Sequence, residues 1–397
     1  MGAFIAQFAV VAMLGVRTLP TRIGASVMTL VGIAGVVAAL LVVLSIASGL
    51  DEVMLNSGAR DAVVVMQAGS GGNEMASTLE LPATRAILEA PGIRRQGERL
   101  AASAEMFVVV DVPKKSTGTD AHVPLRGVQA AAPFVRDGFR IVSGRSFEPG
   151  KNELIVGSSA LRQYEDLEIG SVKKWGDVEW TVVGIFTAGG SVAESEIWCD
   201  VHVLQPIYHQ GSAFQTLHAR LASADAFAAF EEALSTDVRT GVVVSRYSDY
   251  YGGQSTTLTA TLRSVGSIIA LLMGVCAGFG ALNTMYAAVA ARSREIATLR
   301  ALGFSAAPTV ISVLIESLTL AGIGGLLGGA IAFVGFNGLE ASTMNWATYT
   351  QVAFSFQVTP VLLAQGVFYA LTIGLVGGLF PAIRSARLPI ATALREA

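Results

Sequence analysis

The chain is poor in charge. Of its 397 residues only 14% are Asp, Glu, Lys or Arg, against about a quarter in a soluble domain. Hydrophobic residues make up 52% and the mean hydropathy is positive, so an ordinary soluble globule is excluded and a membrane protein is indicated. A formal net charge of -3, with no basic stripe carrying interleaved aromatics, excludes nucleic acid as a partner. Cysteine is nearly absent. Cys199 lies in a polar segment and Cys276 in an apolar run, segments assigned to different compartments, so no disulfide is implied. Catalytic signatures are missing as well. No G-x-x-x-x-G-K-S/T occurs, which removes a P-loop for ATP phosphates, and neither H-E-x-x-H nor G-x-S-x-G is present. The four histidines, His122, His202, His209 and His218, have no cysteine or carboxylate at ligand spacing beside them. They read as scattered surface residues, and no metal site and no catalytic residue is assigned. The segment Glu194–Trp198, with its two carboxylates, is explained by polar and apolar alternation and receives no chemistry.

What the chain does have is long apolar runs. Ala25–Leu50, Val265–Ala291, Thr309–Gly338 and Val361–Phe380 are each long enough to cross a hydrocarbon layer of about 30 Å. Ala3–Val16, broken by Gln7 and closed by Arg17, Pro20 and Arg22, is short for a span and reads as an interfacial helix. Ala25–Leu50 exceeds the roughly 7 to 15 residues of a signal h-region, which favours a span over a cleaved leader. The expected layout is an interfacial helix over 1–23, spans over 24–50, 263–291, 308–338 and 361–381, a loop over 292–307, an outer loop over 339–360 and a tail over 382–397. Arginines orient it. Arg17 and Arg22 precede the first span, Arg292, Arg294 and Arg300 lie between the second and third, and Arg384, Arg387 and Arg395 follow the fourth. The positive-inside rule then puts both termini and the 292–307 loop in the cytoplasm. The expected location is a multi-pass protein of the plasma membrane, the inner one in a Gram-negative cell.

Residues 51–262 differ in character: 19 of the 27 basic residues fall between Arg60 and Arg263, which marks a folded aqueous domain outside the membrane. Ala62–Gln67, Met106–Val112, Glu153–Val156 and Trp180–Phe186 read as strands rich in β-branched residues, and Ala83–Ala90, Ser158–Tyr164 and Ala224–Leu234 as helices. The fold class expected is four transmembrane α-helices with a large α+β extracytoplasmic domain between the first two.

Inside the spans small residues recur at four-residue spacing: Gly274 and Gly278, Gly324 and Gly328, Gly325 and Gly329, Gly374 and Gly378. Such spacing lets helix backbones approach closely in lipid. Glu316 is a carboxylate well inside the third run. A structural hydrogen bond to a neighbouring helix is preferred over a proton or substrate role for it.

Between the second and third runs lies the charged segment Ala291–Ser305. Arg292–Leu302 has no Gly or Pro, Gly303 sits at a C-cap position and Ser305 can cap the next helix. Arg292, Arg294, Glu295 and Arg300 alternate around the helix with Ile296, Leu299 and Leu302, the pattern of a short helix contacted on two sides. The pattern R-x-x-E-I-x-x-L-R-A-x-G, carried by Arg292, Glu295, Ile296, Leu299, Arg300, Ala301 and Gly303, resembles the cytoplasmic loop of ABC transporter permeases of the MacB/FtsX/LolC group. Pro381, Pro389 and Ala393–Arg395 fit the same family's C-terminal pattern.

The resemblance implies that this loop is a coupling helix docked on an ATPase. Glu295 and Arg300 would orient it in the ATPase groove, and Ile296 and Leu299 would supply buried contact. It further implies a MacB-like core domain with an inserted subdomain over about 139–204. The layout is that of split members of the family, with a separate ABC ATPase subunit in two copies that binds ATP and Mg, so this chain binds no cofactor and is not an enzyme. The partners implied are a second permease, identical or paralogous, membrane lipid and a membrane-fusion adaptor. The function implied is coupling of ATP hydrolysis to movement of the outer domain, for export, efflux or lipid and lipoprotein extrusion. An FtsX-like transmembrane regulator or sensor is the alternative and would use the same loop.

Overall fold

The computed structural model describes residues 23–208, 211–237, 240–301, 306–345 and 350–387. The expected interfacial helix and the tail beyond residue 387 therefore lie outside the described residues. In chain order the elements begin with α1 (Ile23–Ser57), β1 (Ala62–Gln67), α2 (Leu81–Glu89), β2 (Arg95–Gln96), β3 (Arg99–Leu100), β4 (Ala102–Pro113), β5 (Asp120–Val128) and α3 (Ala132–Val135). They continue with β6 (Phe139–Gly144), β7 (Glu153–Gly157), α4 (Ser158–Gln163), β8 (Val172–Trp175), β9 (Val178–Ala188), β10 (Ile197–Asp200), α5 (Val201–Ile207), β11 (Thr216–Arg220), α6 (Ala226–Thr236) and β12 (Val242–Arg246). The last are α7 (Tyr247–Ala291), α8 (Ser293–Ala301), α9 (Ala306–Phe336), β13 (Glu340–Asn345), β14 (Thr350–Ser355) and α10 (Pro360–Ala386). Two compact units result: Gly49–Thr259 with Glu340–Ser355, and the remainder.

The first of these units, the core domain, is built on one ten-stranded sheet in the order β12-β1-β11-β4-β5-β10-β7-β9-β6, with β8 paired on β9. The β5–β10 and β7–β9 pairs are parallel and the other neighbours antiparallel. Strands β6 to β10, from the segment expected as an insertion, extend the same sheet outward from β5 through β10. The sequence explains why β1 lies inside it. Alternate side chains of a strand point to opposite faces, and in β1 both sets are apolar. Val63 and Val65 enter one hydrophobic core with Leu125, Leu217 and Phe230, while Ala62, Val64 and Met66 enter another with Leu50, Met54, Tyr247, Tyr250 and Tyr251.

Charge is also buried in this domain. Arg126, on β5, donates from Nη1 to Glu74 Oε2 (2.7 Å) and from Nε and Nη2 to the two carboxylate oxygens of Glu196 (2.9 Å each). Arg136 donates through Nη2 to Glu105 Oε2 (2.6 Å). Tyr250 donates to Glu74 (2.8 Å), the Trp198 indole N–H to Glu196 (2.7 Å), and the Tyr247 hydroxyl lies 2.6 Å from His218 Nδ1. His218 is thus fully buried, not on the surface, because its two ring nitrogens find Tyr247 on one side and Arg126 on the other. Glu194 is likewise buried: it accepts from Ser158 Oγ (2.6 Å) and from the N–H groups of Ala188 and Gly190 (2.8 Å each).

The segment expected only as an outer loop over 339–360 forms the antiparallel hairpin β13–β14, with Glu340 opposite Ser355 and Asn345 opposite Thr350. It belongs to the core domain. Arg162 Nε donates to Glu340 (2.7 Å), Lys114 Nζ to Gln351 (3.3 Å), and the Ala353 N–H to Ser195 Oγ (3.0 Å). Val352, Ala353 and Phe354 are buried.

Among the described residues four helices are long and apolar enough to cross a membrane: Ser26–Ser57, Thr259–Ala291, Ala307–Phe336 and Pro360–Ala386. The helix holding the second of them starts well before the apolar run, at Tyr247. Lipid supplies no hydrophobic drive between helices, so close backbone approach must supply the packing. A Cβ added at Gly325 would lie 2.7 Å from Ala370 Cβ, and one at Gly378 2.7 Å from Ser317 Cβ. One at Gly374 would meet Ala321 Cβ, one at Gly324 would lie 3.1 Å from Ile33 Cβ, one at Gly328 2.9 Å from Val37 Cβ, and one at Gly329 3.2 Å from a Leu363 methyl. Gly274 faces the Tyr369 hydroxyl, which donates to the Ala270 carbonyl. Gly278 is the exception: its Cβ direction is open, and the close approach there is made by Gly377, whose Cβ would lie 3.4 Å from the Gly278 carbonyl oxygen.

Two outcomes follow from this packing. Gly374→Leu should force α9 and α10 apart and cost about 1–3 kcal/mol, seen as earlier thermal aggregation of the detergent-solubilised chain, whereas Gly278→Ala should stay within about 0.5 kcal/mol. Equal loss in both would remove the glycine contact as the cause. The second outcome concerns pH. Burial, joined by Arg136 and Arg126, pushes His218 well below its ordinary value of 6.5, against the attraction of Glu74. The unfolded chain therefore takes up a proton that the folded one refuses, and stability should fall as pH drops through 6.5, by about 1.4 kcal/mol per pH unit. Urea denaturation followed by tryptophan fluorescence should show this slope between pH of about 6 and 5, and His218→Asn should flatten it. A wild-type chain with no slope there would mean that the imidazole is not held neutral.

Candidate functional site: the coupling helix and its seat

Arg292 is the single residue between α7 and α8. The two helices are nearly continuous there, since the Arg292 N–H donates to the Val289 carbonyl (3.2 Å) and the Ile296 N–H to the Arg292 carbonyl (3.0 Å). The Arg292 guanidinium turns into the bundle, with Nη1 3.1 Å from Glu316 Oε2 and Nε 3.7 Å from Glu295 Oε2. Glu316 lies about 15 Å along α9 from Ala306 and its side chain is only 8% exposed. A carboxylate at that depth persists because a cation meets it. The partner is Arg292 at the start of the charged segment, a residue that the motif includes but that the sequence does not pair with Glu316.

The remaining residues of the segment divide between two sides. Ile296 and Ala297 are buried, Ile296 against Met285, Val289, Val313 and Ala382. Arg300 Nη1 donates to the carbonyl of Ala386 (2.9 Å), the last residue of α10, where a helix leaves acceptors unpaired and favours positive charge. Arg384 stacks over the Tyr286 ring at 5.4 Å, tying α10 to α7. On the outer side Arg294, Glu295, Thr298 and Ala301 are exposed, with 71% of the Glu295 side chain open. Ile296 and the half-buried Arg300 thus each have a partner on the chain's own helices. The side chain of Leu299 and all of Gly303 lie outside the described residues.

Among the described residues no group of three or more His, Cys, Asp and Glu could hold a metal ion. The clusters that sequence reasoning missed are Arg126 with Glu74, Glu105 and Glu196, and Arg136 with Glu105. Their signal was present in single charges inside strand-forming runs, Glu105 in Ala102–Pro113 and Arg126 in Asp120–Val128.

The family model of the MacB-like periplasmic core domain matches residues 26–237, and that of the FtsX-like permease C-terminal region matches 267–390. The uncharacterized ABC transporter permease YknZ of Bacillus subtilis is 34% identical over 145 residues, 36% of this chain and 33% of that protein. The macrolide export ATP-binding/permease protein MacB 1/2 of Paracoccus denitrificans is 26% identical over 385 residues, 89% of this chain and 55% of that protein. The crystal structure of the periplasmic region of MacB from Actinobacillus actinomycetemcomitans aligns over 54% of this chain and 97% of its own at 10% identity, with a TM-score of 0.37. The chain thus spans between a third and just over half of these two curated relatives. With one family model covering the core domain and the other the last three spans and the segment between them, the chain belongs to the MacB/FtsX-like family of ABC transporter permeases.

Proposed function

We propose that this permease carries motion from an ABC ATPase, docked on α8, to its core domain outside the membrane, in export, efflux or extrusion of a lipid or lipoprotein. The observation that carries the reading is the division of α8 into a face seated on the bundle and a face that includes Arg294, Glu295, Thr298 and Ala301 and is left open. A solvated turn needs no apolar seat. ATP and Mg belong to the ATPase in this reading. Paired ATP sites call for two ATPase copies and two permeases, and a homodimer is the simpler assembly, with a paralogous permease as the other. A membrane-fusion adaptor would meet the core domain. Macrolide export is named for the MacB relatives, and its extension to this chain is part of the proposal.

Charge reversal in Glu295→Lys should weaken ATPase association. A desolvated interfacial pair is worth about 2–5 kcal/mol, so the loss should be at least about thirtyfold, measured by co-purification and by hydrolysis in reconstituted membranes. Unchanged association in both Glu295→Lys and the bulky Thr298→Tyr would sink the docking face. Stimulation of hydrolysis by a transported compound separates a transporter from an FtsX-like regulator using the same helix.

The orientation given by the arginines puts α8 and both termini in the cytoplasm and the core domain outside, in the plasma membrane or the Gram-negative inner membrane. With Cys199 and Cys276 replaced by alanine, a membrane-impermeant maleimide added to whole cells should label Arg99→Cys. Arg294→Cys should react only after permeabilisation. The reverse pattern would invert the topology and with it the proposed direction of coupling.

A further inference from the structure

We propose that Arg292 and Glu316 form the joint through which force on α8 reaches α9, a pair of positioning residues distinct from the face that meets the ATPase. This rests on the reading of α8 as the ATPase-docking helix and specifies how that site passes its motion on. Three observations carry it. Arg292 is the single residue between α7 and α8, so whatever holds its side chain holds the junction of the two helices. Its guanidinium lies 3.1 Å from Glu316, which is buried inside α9, and 3.7 Å from the exposed Glu295. The other inward residues of α8 have different partners: Ile296 has an apolar seat shared by α7, α9 and α10, and Arg300 has the terminal carbonyl of α10.

Apolar contacts can slide, because dispersion is non-directional and Met285 or Val313 can accept a shifted Ile296. A buried ion pair cannot slide without stranding a charge. Arg292–Glu316 is therefore a contact that resists rotation of α8 against α9. The pattern R-x-x-E-I-x-x-L-R in this chain then has a division of labour: Arg292, Ile296 and Arg300 face inward and fix the helix, and Arg294, Glu295 and Thr298 face outward and meet the partner.

The test uses the full chain reconstituted with its ATPase in lipid nanodiscs, with two readouts. One is the affinity of the ATPase for the permease. The other is the ATP-dependent distance change between two copies of the core domain, each spin-labelled at Arg99→Cys in a chain lacking Cys199 and Cys276. Glu316→Gln should bind the ATPase within about twofold of wild type and lose at least about tenfold in the fraction of complexes that show the distance change. The exchange Arg292→Glu with Glu316→Arg should recover a large part of that fraction, which a merely damaged bundle would not do. Glu316→Asp keeps the charge and shortens its reach, should give an intermediate loss, and decides the matter if Glu316→Gln fails to insert. A wild-type distance change in Glu316→Gln, or in Glu316→Asp where that variant stands alone, overturns the joint. So does an exchange variant no better than Glu316→Gln. If Glu316→Gln lowers affinity as much as Glu295→Lys does, the pair shapes the docking face and the joint is again overturned. If Glu295→Lys leaves affinity unchanged, the docking reading fails first, and that result is visible independently of the distance change.

Discussion

The core domain depends on one buried guanidinium. Arg126 is placed by β5 among three carboxylates, Glu74, Glu105 and Glu196, each on a different stretch of chain. Taking such charges out of water costs several kcal/mol per ion, and the cost is offset only if every partner is in place. Arg136, Tyr250, Trp198 and the imidazole of His218 with Tyr247 complete the set. The network gives directional information that the apolar cores cannot give: Val63 or Leu217 would pack in several registers, but Arg126 reaches Glu74 and Glu196 together in few. Its members include residues at the very start of α7, Tyr247 and Tyr250. The first turns of α7 are thus held within the core domain by hydrogen bonds to buried charge.

The spans obey a different rule. Around them there is no water to drive apolar surfaces together, and their packing rests on close approach and on a few polar contacts. Gly325 against Ala370 and Gly378 against Ser317 allow α9 and α10 to lie close, and Ser317 Oγ donates to the Gly374 carbonyl at 2.6 Å. Thr29 and Thr284 join α1 to α7 at 2.9 Å. Each of these contacts adds direction that apolar packing lacks.

Much of this was legible in the chain itself. Runs such as Ala25–Leu50 announce spans because only a helix satisfies its own backbone in lipid, and Ala62–Gln67 announces a strand because β-branched residues fit a pleated surface. What stayed hidden was pairing at a distance. Glu316 was visible as a buried acid, but its partner Arg292 is 24 residues earlier and reads in sequence as one more positive charge at a membrane end. His218 looked like a surface residue because its neighbours Arg126, Arg136 and Tyr247 come from three other segments. The hairpin β13–β14 lacks a strong turn signal in the described part of its sequence, and its strand character depends on Lys114, Arg162 and Ser195 to receive it.

The coupling segment shows why a motif and its interface are not the same thing. A helix nine residues long has little stability of its own, since isolated helices need about 12 to 15 residues even in favourable sequences. It must therefore be held by its own protein before it can be held by another. Ile296, Ala297 and Arg300 meet that need, and Arg292 ties the junction with α7 to Glu316. Once those positions are committed inward, the 3.6-residue period leaves Arg294, Glu295, Thr298 and Ala301 on the open side. A partner recognised by such a face must bring complementary charge and a groove of matching shape. A helix fixed rigidly to its bundle and recognised mainly through charge is suited to transmitting displacement, because the firm contacts lie on the side that has to move with it.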